Sequence, residues 1–412
     1  MEPKVRFKNS GIWLYEKVGN ICDLLTGFPF PGDKIVLNGN TLLLRGINIT
    51  EGVIRHSKEI DRYYNESTIG FEKYRLEVGD LVVGMDGSKV GKNSALITSK
   101  EQNSLLVQRV ARLRHEDKNL INLIQIGVGS RRFIKYVEEI KTSSAIPHIS
   151  SDDIRNFIIS LPKDSVERQF IAGYFTSLDS LIVASNSHIA SLKKLKAASL
   201  ISMFPQNGES TPKVRFKGFE GEWRRIKFGT ISSRVTRRND TLECKFPLTI
   251  SANEGLISQE KFFNNIVASS NLGNYYLLKR GEFAYNKSYS NGYPFGAIKR
   301  LDKYDSGVLS PLYICFGIHD EVDSDYICSF FETTLWHKDI AERATEGARN
   351  HGILNIGTED FFDINIMIPK SKEEQQSIAT FFRSLDRKIA LETARLEKLK
   401  QIKLACLDKM FV

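Results

Sequence analysis

The chain has 412 residues, of which 41% are hydrophobic and 26% charged, a balance that excludes a wholly disordered protein. Its length suffices for about two or three domains, and the sequence contains neither a membrane-spanning apolar run nor the apolar core of a secretion signal, so we expect a cytoplasmic protein without membrane contact. The net charge is +9, with 28 Lys and Arg against 22 Asp and Glu in residues 1–206 and 30 against 27 in the remainder, which permits a polyanionic partner for each half.

The hexapeptide Pro3–Lys8, near the start of the sequence, recurs unchanged as Pro212–Lys217. Up to residue 160, short β-rich runs such as Leu81-Val82-Val83 alternate with turns rich in Gly, Asn and Asp. An amphipathic helix is predicted around Asn119 to Ile126. Residues 1–160 are therefore predicted to form an α+β domain of many short strands.

A long helix is predicted within residues 161–205. Pro162 ends the preceding strand-like run, and Asp164 and Glu167 have the spacing of a capping box. Apolar residues then recur at steps of four and three, with one gap at Ser185, which is the spacing of a coiled-coil seam. The residues of this seam are Ile171, Phe175, Leu178, Ile182, Ile189 and Leu192.

The second half of the chain repeats this organisation. A polar linker at 206–211 precedes a second α+β region at 212–367, and residues 368–412 align with 161–205 without a gap, with 18 identities in 45 positions. That identity is far above chance and indicates a duplication. The second seam consists of Ile378, Phe382, Leu385, Ile389, Leu396 and Leu399.

The shared seam has two explanations. A helix that packs on its own domain would need an apolar face, but nothing would require the same seam in both copies. Pairing of the two long helices with each other explains both the apolar face and the common pattern. We therefore predict that the two helices pair.

Known catalytic and metal-binding signatures are missing from the sequence. The segment Gly87–Asn93 departs from a phosphate-binding loop in its glycine spacing and has Asn where Ser or Thr would bind magnesium. The five cysteines are dispersed, without a Cys-x-x-Cys pair, and the seven histidines form no cluster. We therefore predict no catalytic residue, no metal site and no cofactor in this chain.

Two motifs and the repeat carry a resemblance to a known family. Pro212 to Trp223 (PKVRFKGFEGEW) and Ile368 to Asp386 (IPKSKEEQQSIATFFRSLD) resemble the opening and closing motifs of the specificity subunit of type I restriction-modification systems. The organisation matches over the whole chain, whereas the variable regions match weakly. The first copies of the two motifs depart from the family pattern at Asn9–Ile12 and at Arg168-Gln169. Both differences lie at domain edges.

The resemblance implies a fold and a function. The two variable regions would be target-recognition domains, each reading half of an asymmetric, bipartite sequence in double-stranded DNA. The two helices would form an antiparallel coiled coil with pseudo-twofold symmetry and would dock two methyltransferase (M) subunits, with restriction (R) subunits completing the nuclease. S-adenosylmethionine, ATP and Mg would belong to those partner subunits, so this chain would be a non-catalytic scaffold.

Candidate DNA-binding residues are the basic and small polar side chains of the predicted loops, because such groups reach base edges and phosphates. Each single lysine or arginine has the alternative interpretation of a solvated surface residue. In the first region the candidates are Arg45, Asn48, Ser88, Lys89, Lys92, Asn93, Ser144 and His148. In the second region they are Arg237, Arg238, Ser251, Asn286, Lys287, Tyr289, Asn291, Arg349, Asn350 and His351.

Two other functions remain open at this point. A single-chain nuclease or methyltransferase would act on DNA without partners, and the missing motifs argue against it. A two-headed protein–protein adaptor would have no DNA specificity, and the basic charge of both halves argues modestly against that.

Overall fold

A computed structural model describes residues 11–143, 145–206, 208–251, 254–264, 271–289, 292–344 and 354–411. The first copy of the opening hexapeptide, Pro3–Lys8, lies outside these residues. The chain divides into two compact units: unit 1 comprises Met1–Asn186 with Ala394–Val412, and unit 2 comprises Ser187–Thr393. The architecture is α+β, as the sequence predicts, and it includes a long C-terminal helix.

Unit 1 contains short strands, short helices and the first part of a long helix. Its strands are β1 (Trp13–Lys17), β2 (Asp23–Thr26), β3 (Ile35–Val36), β4 (Thr41–Leu44), β5 (Tyr63–Tyr64), β6 (Leu81–Gly84), β7 (Ser94–Leu96), β8 (Leu105–Leu106), β9 (Val110–Arg114) and β10 (Ile158–Pro162). Its helices are α1 (Val18–Ile21), α2 (Lys118–Val128), α3 (Arg131–Ile140), α4 (Ser151–Asn156) and the start of α5 (Ser165–Ser202).

The main sheet of unit 1 has the strand order β2-β9-β6-β7, and a second sheet has the order β3-β5-β4-β8. The central strands β6 and β9 are buried along almost their whole length. Strand β6 is apolar throughout, whereas β9 also contains Arg112 and Arg114. Helix α2 begins where the Asp117 carboxylate accepts hydrogen bonds from the backbone N–H groups of Asn119 and Leu120. Phe133 and Phe175 are fully buried in the core that these elements enclose.

Unit 2 repeats these elements with different lengths and spacings. Its strands are β11 (Arg224–Lys227), β12 (Ser232–Arg234), β13 (Leu248–Ser251), β14 (Gly255–Ser258), β15 (Tyr276–Lys279), β16 (Phe283–Asn286), β17 (Ala297–Arg300), β18 (Ser306–Leu309), β19 (Ile314–Ile318) and β20 (Asn365–Ile368). Its helices are α6 (Gln259–Phe263), α7 (Ser324–Phe330), α8 (His337–Arg343), α9 (Thr358–Phe362) and the start of α10 (Lys372–Met410).

The sheets of the two units follow the same plan. In unit 2 the main sheet has the order β12-β19-β16-β17, which matches β2-β9-β6-β7 strand for strand. In each unit the first strand also pairs antiparallel with the last one, β1 with β10 and β11 with β20. The duplication that is visible in the helices therefore extends through the variable regions, where the sequence similarity is weak.

The first long helix begins after the capping residue that the sequence indicates, Asp164, and the second begins after Ser371, the aligned residue. The Asp164 carboxylate accepts a hydrogen bond from the backbone N–H of Val166, at 3.0 Å. The Ser371 hydroxyl accepts one from the N–H of Glu374, at 3.1 Å. Because these side chains satisfy N–H groups that have no partner within the helix, they fix the first turn of α5 and α10.

A buried glutamate at the start of each long helix ties it to its own opening segment. The Glu374 carboxylate accepts hydrogen bonds from the Trp223 indole at 3.2 Å and from the Arg215 guanidinium at 2.7 and 2.8 Å. Glu167 accepts the Trp13 indole N–H at 3.0 Å in the same way. The hydrogen bonds to Glu374 raise the pKa of Arg215 above its ordinary value. The capping-box spacing thus also marks a glutamate that anchors the domain.

Replacing Glu374 with alanine is expected to lower the free energy of unfolding by about 3–5 kcal/mol, because the Arg215 charge then loses its carboxylate partner in a largely buried site. Urea titration measures this loss. The neighbouring Glu373 lies in the same first turn but is exposed, so Glu373→Ala is the matched control and should change stability by less than about 1 kcal/mol. Equal losses for both variants would contradict the anchoring role.

Parts of both long helices contribute to each unit. In unit 1, Phe175 of α5 contacts Phe411 at 6.1 Å between ring centroids, and the Asp179 carboxylate accepts a hydrogen bond from Lys403. Residue numbers rise along α5 as they fall along α10, so these segments run in opposite directions. All the seam residues given above are buried or half-buried.

The contacts of unit 2 are the counterparts of those in unit 1. The ring centroids of Phe204 and Phe382 lie 6.0 Å apart, and the Lys196 ammonium donates a hydrogen bond to the Asp386 carboxylate. Under the alignment of the two helices, these four residues correspond to Phe411, Phe175, Lys403 and Asp179. Burial lowers the pKa of Lys196, but Glu332 and Asp386 outweigh it, so the pKa is raised. The same apolar and ionic contacts are therefore made once in each unit.

Candidate nucleic-acid interface

Three loops converge in unit 1: the first loop (45–48), the second loop (86–93) and the third loop (142–148). Asp86 and His148 form an antiparallel bridge, and Gly87 N–H donates to the Pro147 carbonyl at 3.0 Å. A Cβ atom at Gly46 would lie 3.3 Å from Asp86 Oδ1, so the first loop adjoins the second. The structure therefore brings together loops that are about 100 residues apart in sequence.

The side chains of this loop cluster differ in their exposure. Ser88, Lys89, Lys92 and His148 are exposed, whereas Arg45 and Asn93 are half-buried. The Lys89 ammonium lies 3.6 Å from the Glu51 carboxylate, and both side chains are more than half exposed, so water weakens this pair. The exposed residues present donors to solvent, as binding to phosphates or bases requires. Ser144 lies outside the described residues.

Asn48 has an internal role in this cluster. It is fully buried, and its side-chain oxygen accepts a hydrogen bond from Arg45 N–H at 3.2 Å. Its amide nitrogen donates to the Arg55 carbonyl at 3.2 Å and to Asp61 at 2.9 Å. These bonds occupy the side chain. They favour a role for Asn48 in ordering the first loop over a role in contacting a ligand.

An arginine that the sequence does not single out also lies at the cluster. Arg109 precedes β9, its side chain is 58% exposed, and its guanidinium lies 3.4 Å from Asp86. Its φ is +63°, an unusual value for a residue other than glycine. A backbone angle of this kind cannot be seen in the sequence, and Gln108-Arg109 carries no motif.

In unit 2 the structure joins the loop at 286–289 to residues 354–356. Leu354 N–H donates to the Lys287 carbonyl at 3.0 Å, and Lys287 Nζ donates to the Ile356 carbonyl at 3.3 Å. Burial lowers the pKa of Lys287 below its ordinary value. Tyr289 is exposed, and Asn286 is half-buried and accepts a hydrogen bond from Ser288 N–H at 3.0 Å. Asn291, Arg349, Asn350 and His351 lie outside the described residues.

The other candidates in unit 2 are held by neighbouring side chains. Arg237 donates two hydrogen bonds to the Glu282 carboxylate, at 2.9 and 2.7 Å. The Arg238 guanidinium lies over the Tyr276 ring, 4.3 Å from its centroid, and remains exposed. Ser251 is buried, and its hydroxyl accepts a hydrogen bond from Glu254 N–H at 3.2 Å. Of this group, Arg238 is the side chain most open to solvent.

Metal and membrane chemistry gain no support from the described part of the chain. Within it, no group of three or more His, Cys, Asp or Glu side chains is arranged to hold a metal ion. The helices described there include none with the length and apolar character to cross a bilayer. The exposed Ser88, Lys89, Lys92 and His148 side chains give the loop cluster hydrogen-bonding groups and positive charge.

Comparison with known proteins gives one family match over part of the chain and likenesses of fold over all of it. Residues 329–401 match the model of the type I restriction modification DNA specificity domain. The search of curated proteins gave no match. One similar solved structure is the S subunit of a type I restriction-modification system from M. genitalium, with a TM-score of 0.64 and 18% identity over 100% of this chain and 99% of that one.

A second similar chain comes from a study of complex assembly and conformational transition of the type I R-M system. Its TM-score is 0.52 at 13% identity, and the alignment covers 98% of each chain. At these identities the likeness concerns the fold, and it extends from end to end. Residues 329–401 therefore resemble the type I restriction-modification DNA specificity domain, and the whole chain is similar in fold to the S subunit of a type I restriction-modification system.

Proposed function

We propose that this chain is the recognition and scaffold subunit of a type I restriction-modification complex that acts on an asymmetric, bipartite DNA target. Two recognition domains, 1–160 and 212–367, each read one half of the target. The spacer segments 161–205 and 368–412 form an antiparallel coiled coil with pseudo-twofold symmetry. The linker 206–211 joins the two halves of the chain. The coiled coil also docks two methyltransferase subunits, and restriction subunits join the full complex.

The observation that carries this proposal is the equal set of contacts in the two units. The Phe204–Phe382 and Lys196–Asp386 pairs of unit 2 correspond to the Phe411–Phe175 and Lys403–Asp179 pairs of unit 1. Equivalent contacts favour two recognition domains that are held in the same way. Their exposed loops differ in sequence, so two equally held domains would read two unlike half-sites.

The coiled coil would set the distance between the half-sites. Helix α5 has 38 residues and α10 has 39, and a helix of that length rises about 57 Å. DNA rises about 3.4 Å per base pair along one strand. A rigid helix pair of this size therefore suits a target with a fixed, unread spacer between its two parts.

The chemistry of modification and cleavage would belong to partner subunits. S-adenosylmethionine would bind the methyltransferase subunits, and ATP and Mg the other subunits of the complex. The solved relative that comes from a study of complex assembly supports the expectation that this chain acts in a complex. Its own contribution would be sequence recognition and the positioning of those subunits.

Mapping methylated bases genome-wide, in cells with and without this gene, tests the proposal. We expect one bipartite motif with two unlike halves to be methylated only when the gene and its partner subunits are present. A methylome that does not depend on the gene, combined with the absence of a sequence-specific footprint of the complex, would favour the protein–protein adaptor instead.

A further inference from the structure

We propose that the turn before the last strand of each main sheet reads one base through a single outward side chain: Arg109 reads guanine in unit 1, and Leu312 contacts the methyl group of thymine in unit 2. This inference rests on the proposed function and deepens it, because it assigns one base-reading position to each half-site. Neither residue belongs to the loops that the sequence indicates.

The registers of the two main sheets make these positions equivalent. In unit 1, Val83 of β6 pairs with Ala111 of β9. In unit 2, Tyr285 of β16 pairs with Ile314 of β19. Two residues before Ala111 stands Arg109, and two residues before Ile314 stands Leu312. The same corner of the sheet therefore carries an arginine in one unit and a leucine in the other.

The corner in unit 1 is fixed on several sides. Met85 N–H donates to the Arg109 carbonyl at 2.9 Å, and Gln108 N–H donates to the Phe28 carbonyl at 2.9 Å. These bonds hold Arg109 in its left-handed backbone conformation, and its side chain stays 58% exposed. A strained backbone angle that is retained at an exposed residue favours a functional role for its side chain. The fixed backbone also reduces the entropy lost when the side chain binds.

Arg109 lies where the three loops of unit 1 meet. Its guanidinium lies 3.4 Å from Asp86, which bridges to His148 of the third loop and adjoins Gly46 of the first. A weak, exposed ion pair of this length orients the guanidinium but can be exchanged for a stronger partner. The planar fork of arginine matches O6 and N7 of guanine in the major groove, which is the most frequent specific contact between proteins and DNA.

Leu312 is among the most exposed large apolar side chains of the described residues, at 70%. Its backbone N–H donates to the Ser310 hydroxyl at 3.4 Å, so the turn is closed locally while the side chain remains outside. By sheet register this leucine occupies the corner that Arg109 occupies in unit 1. Against DNA, an apolar side chain at this corner distinguishes thymine by its 5-methyl group.

Binding selection from a randomised DNA library, with the complex of this chain and its methyltransferase subunits, tests both assignments. Arg109→Ala is expected to lose the preference for guanine at one position of one half-site, a change of about five- to 150-fold. Arg109→Lys keeps the charge but loses the fork, so it should lose the same preference while the salt dependence of binding is retained. Arg280→Ala removes another exposed, carboxylate-paired arginine and should leave the motif unchanged.

Modified bases give a second readout that does not depend on protein stability. Replacing the guanine by 7-deazaguanine should weaken the wild-type complex and have no further effect on Arg109→Ala. Replacing one thymine of the other half-site by uracil should weaken the wild-type complex about fourfold, and should not weaken Leu312→Ala further. If the wild-type complex selects a bipartite motif that both variants select unchanged, this inference is wrong and the proposed function stands. If the wild-type complex selects no motif, both are wrong.

Discussion

Replacement of Phe204 by alanine is expected to lower the free energy of unfolding by about 3–5 kcal/mol. Its side chain is fully buried, and its ring lies within 6.3 Å of four aromatic rings, those of Trp223, Tyr326, Phe330 and Phe382. Removal of the ring leaves a cavity that these rigid neighbours fill only in part. Urea titration, followed by tryptophan fluorescence and circular dichroism, measures the loss.

Two further variants define what the result means. Phe411→Ala removes the corresponding contact with Phe175 and Trp13 in unit 1, so a similar loss is expected there. Phe170→Ala, in α5, removes a side chain that is 65% exposed and should cost less than about 1 kcal/mol. If Phe204→Ala were as mild as Phe170→Ala, the segment that follows α5 would not be part of the core of unit 2.

The long helices could be predicted closely because a regular pattern determines them. The sequence places them within 161–205 and 368–412, and the structure has them at Ser165–Ser202 and Lys372–Met410. The predicted seam ends at Leu192 in the first copy, yet Phe204 beyond it is fully buried. Its burial depends on Trp223 and Tyr326 of unit 2, which helix periodicity does not reveal.

The strand order of the recognition regions could not be predicted, because short strands of similar composition can pair in many ways. The burial of Asn48, which distinguishes it from the other candidates of its loop cluster, could not be predicted either. Asparagine is common in turns both because it bonds to nearby backbone and because it can bind ligands, and only the contacts with Arg55 and Asp61 favour the first role here. Arg109 was missed because its position depends on sheet register and on a positive φ.

Exchange of residues 212–367 for the corresponding segment of another specificity subunit is expected to replace one half of the methylated motif and leave the other half unchanged. The segment contains β11 to β19 and all of β20 except Ile368, and the long helices α5 and α10 lie outside it. The core contact between Phe204 and Phe382 would keep both of its partners in such a hybrid, because neither residue is exchanged. Methylome mapping of cells that carry the hybrid gene measures the result.

The exchange also separates recognition from assembly. A hybrid that keeps Phe204, Lys196, Phe382 and Asp386 retains the contacts that occur once in each unit, so methylation at the altered motif should remain efficient. Glu332 is the partner of Lys196 inside the exchanged segment, so a donor that lacks an acid there tests how much that ion pair contributes. A change in both halves of the motif would mean that the recognition domains do not read DNA independently. The reading of one half-site by one unit would then have to be abandoned.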